Sequence, residues 1–440
     1  MTPSDDVGNR QAQRPASRRR LRGALLNLLL MLTSIVVILG LCEIGLRLFY
    51  PAGSQPKIND FDPLLGHRMK PNVDLVHVWP AHENVSTIRT NSAGFRGPEL
   101  PGTKRAGEFR ILLLGDSYTF GFGVGDEDTF AHRLQEMIDS RAGVAGRVSV
   151  INAGVSAYGT AQQLLLYESA HARFEPDLVV LNFFVGNDVQ ENLCLAVPRL
   201  RPHRRFPCFG VEDEALTGPE LPVAPRRGRP RSPTLKERAA AWLESSHLYQ
   251  MAFQRAIGIV TSNPALLALL HRLGWQAGPD YLPHVVAGWY QEQYSERGWL
   301  LTRLLLRRLH RQVSQDGARL MVTIIPSRIQ IIPELLELSR LFYPGARDVE
   351  AFFADQDKPQ RLLSTFLAAE GIPSLDLLPV MRADGRGDAL YYPVAAHWNE
   401  QGHQLAATAL LGFMEREALL TVPARSPARG EPGNGPVEAR

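Results

Sequence analysis

The tetrad Gly115-Asp116-Ser117-Tyr118 closes an apolar run and opens a stretch of helical character. The run shows little alternation of apolar and polar side chains, which indicates a parallel strand buried on both faces. A serine after such a strand lies on the edge where open α/β sheets bind ligands. The start of the following helix offers free N–H groups to an oxyanion. The tetrad therefore predicts a nucleophilic Ser117 or, because Asp and Ser are common N-caps, an ordinary helix cap.

Three further segments place chemically useful residues at the ends of predicted elements. A short apolar strand ends at Gly154, where a backbone N–H can approach a substrate without a side chain in the way. A third strand ends near Asn187, whose side-chain amide can donate a hydrogen bond to the same oxyanion. His397 precedes a last amphipathic stretch, where an imidazole can take the proton of Ser117. Each segment alone also fits a strand-end glycine, a turn or a surface histidine.

Taken together, Ser, Gly, Asn and His occur in that order, three after predicted strands and the last before the final helix. Over roughly residues 90–415 this arrangement resembles the SGNH/GDSL hydrolase superfamily. The resemblance implies that Ser117 is the nucleophile and that His397 is the general base. It also implies an oxyanion hole formed by the N–H of Ser117, the N–H of Gly154 and the amide of Asn187.

The fold class follows from the alternation of strands and helices and from the same resemblance. We predict a three-layer α/β/α flavodoxin-like fold with about five parallel strands, preceded by one N-terminal transmembrane helix. Helices are expected near residues 162–173, 295–315 and 401–415. The acids adjacent to the chemical segments are expected to support the site; they are Asp116, Asp188 and Asp388.

The acid of the expected triad is missing from its usual place. The superfamily places an Asp two or three residues before the catalytic histidine, where this chain has Ala395 and Val394. That acid normally holds the imidazole in one tautomer and stabilises the imidazolium. Three explanations stay open. A backbone carbonyl accepts the Nδ1–H of a working Ser–His dyad, Asp388 or Asp384 takes the acid's place, or the site binds a ligand without catalysing a reaction.

Residues 23–46 are predicted to be a transmembrane signal anchor. About twenty mostly apolar residues in this range are enough to span a bilayer core, and four arginines lie directly before them. By the positive-inside rule, the tail 1–22 stays in the cytoplasm and the rest is exported. A cleaved signal peptide is the alternative, although no Ala-x-Ala-like site follows. We expect a single-pass protein of the inner (cytoplasmic) membrane with a periplasmic or extracellular catalytic domain.

Charge and cysteine content narrow the function classes. The first 22 residues carry a net charge of +4 and the whole chain +3, so the remainder is nearly neutral at −1. The basic character therefore belongs to a membrane-flanking tail, which argues against a nucleic-acid partner. Cys194 and Cys208 are expected to form a disulfide if the compartment is oxidising. The chain has neither a zinc-binding Cys/His spacing nor a Walker-type loop, so we expect no metal and no cofactor.

The chain divides into regions of different composition. The first half of a large insertion is rich in proline and arginine, which fits a solvated loop or a basic rim for an anionic glycan or lipid headgroup. Its second half has helical periodicity, and apolar residues such as Trp242 predict a packed face, either as a cap over the site or in an ordinary core. The regions are a basic tail (1–22), the anchor (23–46), a lead-in (51–104), a hydrolase domain (105–420) with the insertion at about 190–295, and a disordered tail (421–440).

The sequence thus predicts a membrane-anchored extracytoplasmic serine esterase. It would hydrolyse an acyl ester on a cell-envelope carbohydrate or lipid through an acyl-Ser117 intermediate. One alternative is an O-acyltransferase that modifies an exported polysaccharide, since residues 322–328 and the His397 block loosely resemble such enzymes. Another is a non-catalytic glycan-binding protein, which Ala395 and Val394 motivate.

Overall fold

The chain forms two compact units, residues 1–54 with 230–256, and residues 55–229 with 257–440. The second unit contains the sheet and the candidate site. The computed structural model describes residues 15–49, 58–78, 84–100, 102–141, 147–193, 206–224, 289–335, 347–393 and 396–420, and scattered residues between 234 and 269.

A long N-terminal helix, α1 (Pro15–Phe49), dominates the first unit. Its segment Gly23–Leu48 has a mean hydropathy of 2.6 and is long and apolar enough to cross a membrane. Its leucine, isoleucine and valine side chains are largely exposed. The apolar span therefore begins at the predicted residue and ends two residues beyond the predicted one.

The second unit is organised around a parallel sheet. Five strands pair in parallel in the order β11-β10-β7-β5-β6, and the others form antiparallel hairpins, β1–β2, β3–β4 and β8–β9. The strands are β1 (Asn59–Asp62), β2 (Gly66–Met69), β3 (Asp74–Val78), β4 (Val85–Arg89), β5 (Phe109–Gly115), β6 (Val148–Gly154), β7 (Leu178–Phe184), β8 (Cys208–Glu212), β9 (Ala215–Glu220), β10 (Arg319–Ile325) and β11 (Ser374–Asp376).

The strand order creates the crevice in which the site lies. Counted along the chain, the five core strands run 2-1-3-4-5 across the sheet, which is the flavodoxin-like order. The order reverses between β5 and β7, and open α/β sheets bind ligands beside the carboxyl ends of the strands at such a switch point. The predicted fold, with five parallel strands, is therefore confirmed.

Helices cover both faces of the sheet. The predicted helices near 162–173, 295–315 and 401–415 are observed as α4, α6 and α10, whereas α7 to α9 were not predicted. After α1, the α-helices are α2 (Ser117–Phe120), α3 (Phe130–Asp139), α4 (Thr160–Phe174), α5 (Asp188–Asn192), α6 (Glu292–Gln315), α7 (Arg347–Ala354), α8 (Lys358–Ala369), α9 (Leu377–Asp384) and α10 (Glu400–Arg416).

The central strand β5 is buried on both faces, as its sequence predicts. Leu112 and Leu114 pack into an apolar cluster with α4 and α6, whereas Ile111 and Leu113 pack with α3 and α10. Successive side chains of a strand point to opposite faces, so one apolar run serves two cores. Each buried aliphatic side chain contributes roughly 1.5–3 kcal/mol, which fixes the strand that leads into Ser117.

The insertion differs from expectation at two places. Residues 206–224 include the hairpin β8–β9, where a solvated loop was expected. Trp242 is 73% exposed, so the predicted packed face is wrong at this residue. An apolar stripe indicates which side chains favour burial, but it does not identify what covers them.

The disulfide and the tails are only partly described. Cys208 is disulfide-bonded, and its predicted partner Cys194 lies outside the described residues. The basic stretches of the insertion, the first fourteen residues and the tail 421–440 also lie outside them.

Candidate active site

Ser117 begins helix α2 directly after strand β5. The N–H at this position has no intrahelical acceptor, as for the first four residues of any helix. Asp116 caps the helix by accepting a hydrogen bond from the N–H of Tyr118 at 2.9 Å. The two interpretations of the Asp-Ser pair are therefore compatible, because Asp116 is the cap and the hydroxyl of Ser117 remains available for other contacts.

The hydroxyl of Ser117 lies next to His397. The distance from Ser117 Oγ to His397 Nε2 is 2.8 Å, although 280 positions separate the residues in the chain. Both side chains are half-buried, so the pair is accessible from the crevice. This is the geometry in which an imidazole takes the proton of an attacking hydroxyl.

The imidazole of His397 stands in an aromatic slot. Its ring centroid is 5.0 Å from that of Tyr118 and 4.6 Å from that of Phe122. The hydroxyl of Tyr118 donates to the carbonyl of Ala396 at 3.3 Å, beside the histidine itself. The residue after the nucleophile therefore restrains both the ring and the backbone of the predicted base.

Arginines hold the two acids that were candidates to replace the missing Asp. The guanidinium of Arg328 binds Asp388 through Nε at 3.0 Å and also donates from Nη1 to the carbonyl of Pro393 at 2.9 Å. The guanidinium of Arg386 binds Asp384 at 2.8 Å. In this structure Asp388 therefore supports the loop that carries the histidine. Val394 and Ala395 lie outside the described residues.

The carboxyl ends of the central strands lie level with one another. Gly115 at the end of β5 is in register with Gly154 in β6 and with Asn182 in β7. Asn187 follows β7 and precedes α5, with Nδ2 3.4 Å from Oε1 of Glu191. Three predicted site residues therefore lie at the same edge of the sheet, at the ends of three adjacent strands: Ser117, Gly154 and Asn187.

Gly154 has a packing role that the sequence did not indicate. Its N–H donates to Asn152 Oδ1 at 3.0 Å. A Cβ at this position would lie 2.3 Å from the backbone nitrogen of Phe120 and 2.6 Å from the carbonyl carbon of Thr119. Glycine is thus required for α2 to lie against β6. The predicted oxyanion role would need Asn152 to release the N–H.

Two acids next to predicted site residues are buried: Asp116, which caps α2, and Asp188, which begins α5. Burial raises the pKa of Asp116 to about 7; the N–H of Tyr118 opposes this shift, and nearby Glu191 adds to it. Burial and the charges of Asp116 and Glu191 raise the pKa of Asp188 well above its usual range. Carboxylates this close disfavour joint ionisation, so the pair retains a proton near neutral pH.

A sequence model of the GDSL-like lipase/acylhydrolase family matches residues 113–405, about two thirds of the chain. The chain belongs to this family. Family membership supports ester-bond hydrolysis as the general class of reaction for this protein.

Several solved structures resemble this acylhydrolase. TesA is 13% identical, with 70% of this chain and 98% of TesA covered and a TM-score of 0.34. A catalytic mutant of Axe2, an acetylxylan esterase from Geobacillus stearothermophilus, is 14% identical, covers 71% and 96%, and scores 0.35. The esterase EstA from Pseudoalteromonas sp. is 12% identical, covers 71% and 100%, and scores 0.33. A search of curated proteins finds no match.

The sequence did not indicate which residues bind the loop after Ser117 and the loop that carries His397. Arg328 anchors the histidine loop, and Arg96 and Asn84 bind the loop that follows Ser117. Arg96 lies in the stretch Thr90–Gly97, ahead of the first strand of the parallel sheet. Its pattern gives no sign that Arg96 is buried.

Replacing Gly154 with alanine should damage both the fold and the site. The added methyl group meets backbone atoms of α2, so the helix that carries Ser117 must move. We expect a loss of about 1–3 kcal/mol in the free energy of unfolding and on the order of a 100-fold loss of activity. Gly125→Ala is the control, because its Cβ would meet atoms only at 3.6 Å or more. Equal behaviour of the two variants in denaturation and turnover would contradict the packing argument.

The buried acids should make stability depend on pH in a defined direction. The pKa of Asp116 is about 7 in the folded state and 3.8 for the ordinary group. Between these two pH values the folded state therefore binds more protons than the unfolded state. Stability should therefore fall as pH rises from about 4 to 7. In Asp116→Asn this fall should be smaller, as measured by thermal melts from pH 4.5 to 8. Asp60→Asn removes an exposed carboxylate and is the charge-matched control; an unchanged slope in Asp116→Asn would refute the assignment.

Proposed function

We propose that this acylhydrolase is a membrane-anchored serine esterase that uses a dyad of Ser117 and His397. The observation that carries the proposal is the 2.8 Å contact between Ser117 Oγ and His397 Nε2. A binding protein has no need for a base within hydrogen-bonding distance of a serine at a strand end. The same contact therefore favours an esterase over a non-catalytic glycan-binding protein.

The reaction would proceed through an acyl-enzyme. Ser117 Oγ attacks the ester carbonyl while His397 Nε2 takes the hydroxyl proton. The N–H of Ser117 and the side-chain amide of Asn187 stabilise the oxyanion, joined by Gly154 if Asn152 releases its N–H. The intermediate collapses, and the departing alcohol receives the proton from His397. Water then attacks the acyl-Ser117 ester by the same steps, releasing the acid and the free serine.

A dyad without an Asp needs another way to orient its imidazole. We propose that a backbone carbonyl accepts the Nδ1–H and that the aromatic slot fixes the ring plane. The centroid distances to Tyr118 and Phe122 support this, as does the binding of Asp388 by Arg328. A triad that loses its acid can lose on the order of 10⁴ in turnover, because the imidazole takes the wrong tautomer. In the dyad, the carbonyl and the aromatic slot would have to supply the orientation that the acid otherwise provides.

The proposed substrate is an acyl ester on a cell-envelope carbohydrate or lipid. The apolar helix α1 and the arginines before it support a single-pass anchor with a cytoplasmic N-terminus and an exported catalytic unit. Next to the dyad, the partly exposed rings of Phe122 and Phe184 offer an apolar surface, with Phe184 packed on the buried Tyr118. Such a surface suits an acyl chain or the face of a sugar ring.

We further propose that α1 is a retained anchor and not a cleaved leader. Within the first unit, the carboxylate of Glu43 accepts hydrogen bonds from the hydroxyl of Ser246 and from the N–H groups of His247 and Leu248, at 2.9–3.0 Å. Arg47 also binds this carboxylate at 2.8 Å. Cleavage after the apolar segment would remove Glu43, and with it the acceptor for the N–H groups of His247 and Leu248.

The esterase proposal is tested by labelling the full-length protein in detergent with a fluorophosphonate. We expect native protein and Ser156→Ala to be labelled, because Ser156 follows the adjacent strand outside the dyad. Ser117→Ala should not be labelled. His397→Ala should label about 10²–10⁴-fold more slowly, since it lacks the base.

Other outcomes would point to a different function. Folded native protein that is never labelled would favour the binding protein. The acyltransferase would be favoured if the native protein is labelled and, in a separate assay without the probe, transfers the acyl group of an added ester to a polysaccharide in place of releasing the free acid.

The anchor proposal predicts an intact N-terminal helix in the mature protein. A chain with a C-terminal tag should remain in the membrane fraction after alkaline extraction, and its intact mass should include residues 23–48. A variant with α1 replaced by a cleavable leader is the control and should be soluble. A native chain that begins after residue 48 and is released by alkali would contradict the proposal.

A further inference from the structure

Arg96, in the lead-in before β5, is buried and directs its guanidinium at the loop that follows Ser117. Its Nη1 and Nη2 donate to main-chain carbonyls, its Nε donates to a carboxylate, and the group stands 5.0 Å above the ring of Phe120. The acceptors are the carbonyls of Phe120 (3.0 Å), Gly121 (2.6 Å), Val124 (2.7 Å) and Thr87 (3.3 Å), and the carboxylate of Asp126 (2.8 Å).

Three of these carbonyls belong to the end of α2 and the turn after it. Helix α2 has only four residues, too few to be stable by itself, and it ends at Gly121 with a left-handed φ of 84°. Carbonyls at the end of a helix carry a negative partial charge without intrahelical donors. The guanidinium satisfies them, so Arg96 completes the short helix that carries the nucleophile.

A second lead-in residue, Asn84, connects this loop to the histidine side of the site. Its Nδ2 donates to the carbonyl of Gly123 at 3.1 Å, to the hydroxyl of Tyr392 at 2.9 Å and to Glu400 at 3.1 Å. Gly123 packs so closely on the ring of Tyr392 that a Cβ there would lie 2.7 Å from it. The N–H of Tyr392 donates to the carbonyl of His397 at 2.8 Å. The lead-in therefore touches both loops of the dyad.

We propose that Arg96 is a positioning residue that sets the distance between Ser117 and His397. This inference rests on the proposed function, because it assigns Arg96 a part in the reaction of the same dyad. A buried guanidinium is costly to desolvate unless its donors are used. Here every nitrogen has an acceptor. A displacement of α2 by about 1 Å would disrupt the dyad and can cost on the order of 100-fold in rate.

A matched control separates positioning from ordinary fold stability. Arg110 is buried to a similar extent as Arg96. It lies near the start of β5, whereas Ser117 follows the other end of this strand. Its Nε donates to Glu108 at 3.0 Å and its Nη1 to the carbonyl of Phe174 at 3.0 Å. Arg110→Lys therefore disrupts a similar set of buried guanidinium hydrogen bonds, but these bonds involve neither loop of the dyad.

The experiment compares native protein, Arg96→Lys and Arg110→Lys, each full-length in detergent. The readouts are the melting temperature, kcat and KM for p-nitrophenyl acetate, and the rate of fluorophosphonate labelling. We expect Arg96→Lys to lose about 10–100-fold in kcat and in labelling rate, with KM within about threefold. Arg110→Lys should melt lower while its kcat stays within about twofold of native.

The inference would be overturned by an Arg96→Lys variant whose kcat stays within about twofold of native, or falls only as far as that of Arg110→Lys. If Arg96→Lys does not fold, Asp126→Ala decides, because it removes the acceptor of Arg96 Nε, and of the Arg89 N–H at 3.3 Å, but leaves the main-chain acceptors of Arg96 in place. Its kcat should fall about threefold or more at unchanged KM, and an unchanged kcat would overturn the inference. Native protein that reacts with neither probe would overturn the proposed function, and this inference with it.

Discussion

The 2.8 Å hydrogen bond between Ser117 and His397 joins two loops 280 positions apart in the chain, and the described fold is arranged to keep it short. On one side, the buried strand β5 leads directly into Ser117 at the switch point of the sheet. On the other, the N-terminal end of α10 follows the histidine loop. Helix α2 has only four residues, and the histidine loop has no regular structure of its own, so side chains from elsewhere bind both segments.

In the proposed dyad, those side chains take over part of the role of the Asp that the family places two or three residues before the histidine, where this chain has Val394 and Ala395. An acid before the histidine would orient the imidazole by one hydrogen bond. Here the ring is restrained by the planes of Tyr118 and Phe122, and its loop is tied to the buried Arg328. Packing restrains the plane of a ring, but it supplies no negative charge to an imidazolium. A dyad of this kind should therefore depend more on rigid loops than a triad does.

Rigidity also has a local cost in this site. Helix α2 approaches β6 so closely that only glycine fits at position 154. Asp116 and Asp188 are both buried at this end of the sheet, and burial raises the pKa of each. Buried acids and a forced close approach lower stability, and such strain commonly lies at sites that need fixed geometry. The lead-in reinforces this region through Arg96 and Asn84.

The sequence by itself determined the apolar N-terminal segment, the α/β class, the helices α4, α6 and α10, and the identity of the residues proposed for the dyad. Local apolar pattern and the chemistry of residues at strand ends carry this information. Only the tertiary structure decided the bonding of the Gly154 N–H to Asn152, the pairing of Asp388 with Arg328 and the burial of Arg96. Those contacts join residues far apart in the chain or depend on backbone spacing, and no local pattern encodes which distant groups meet.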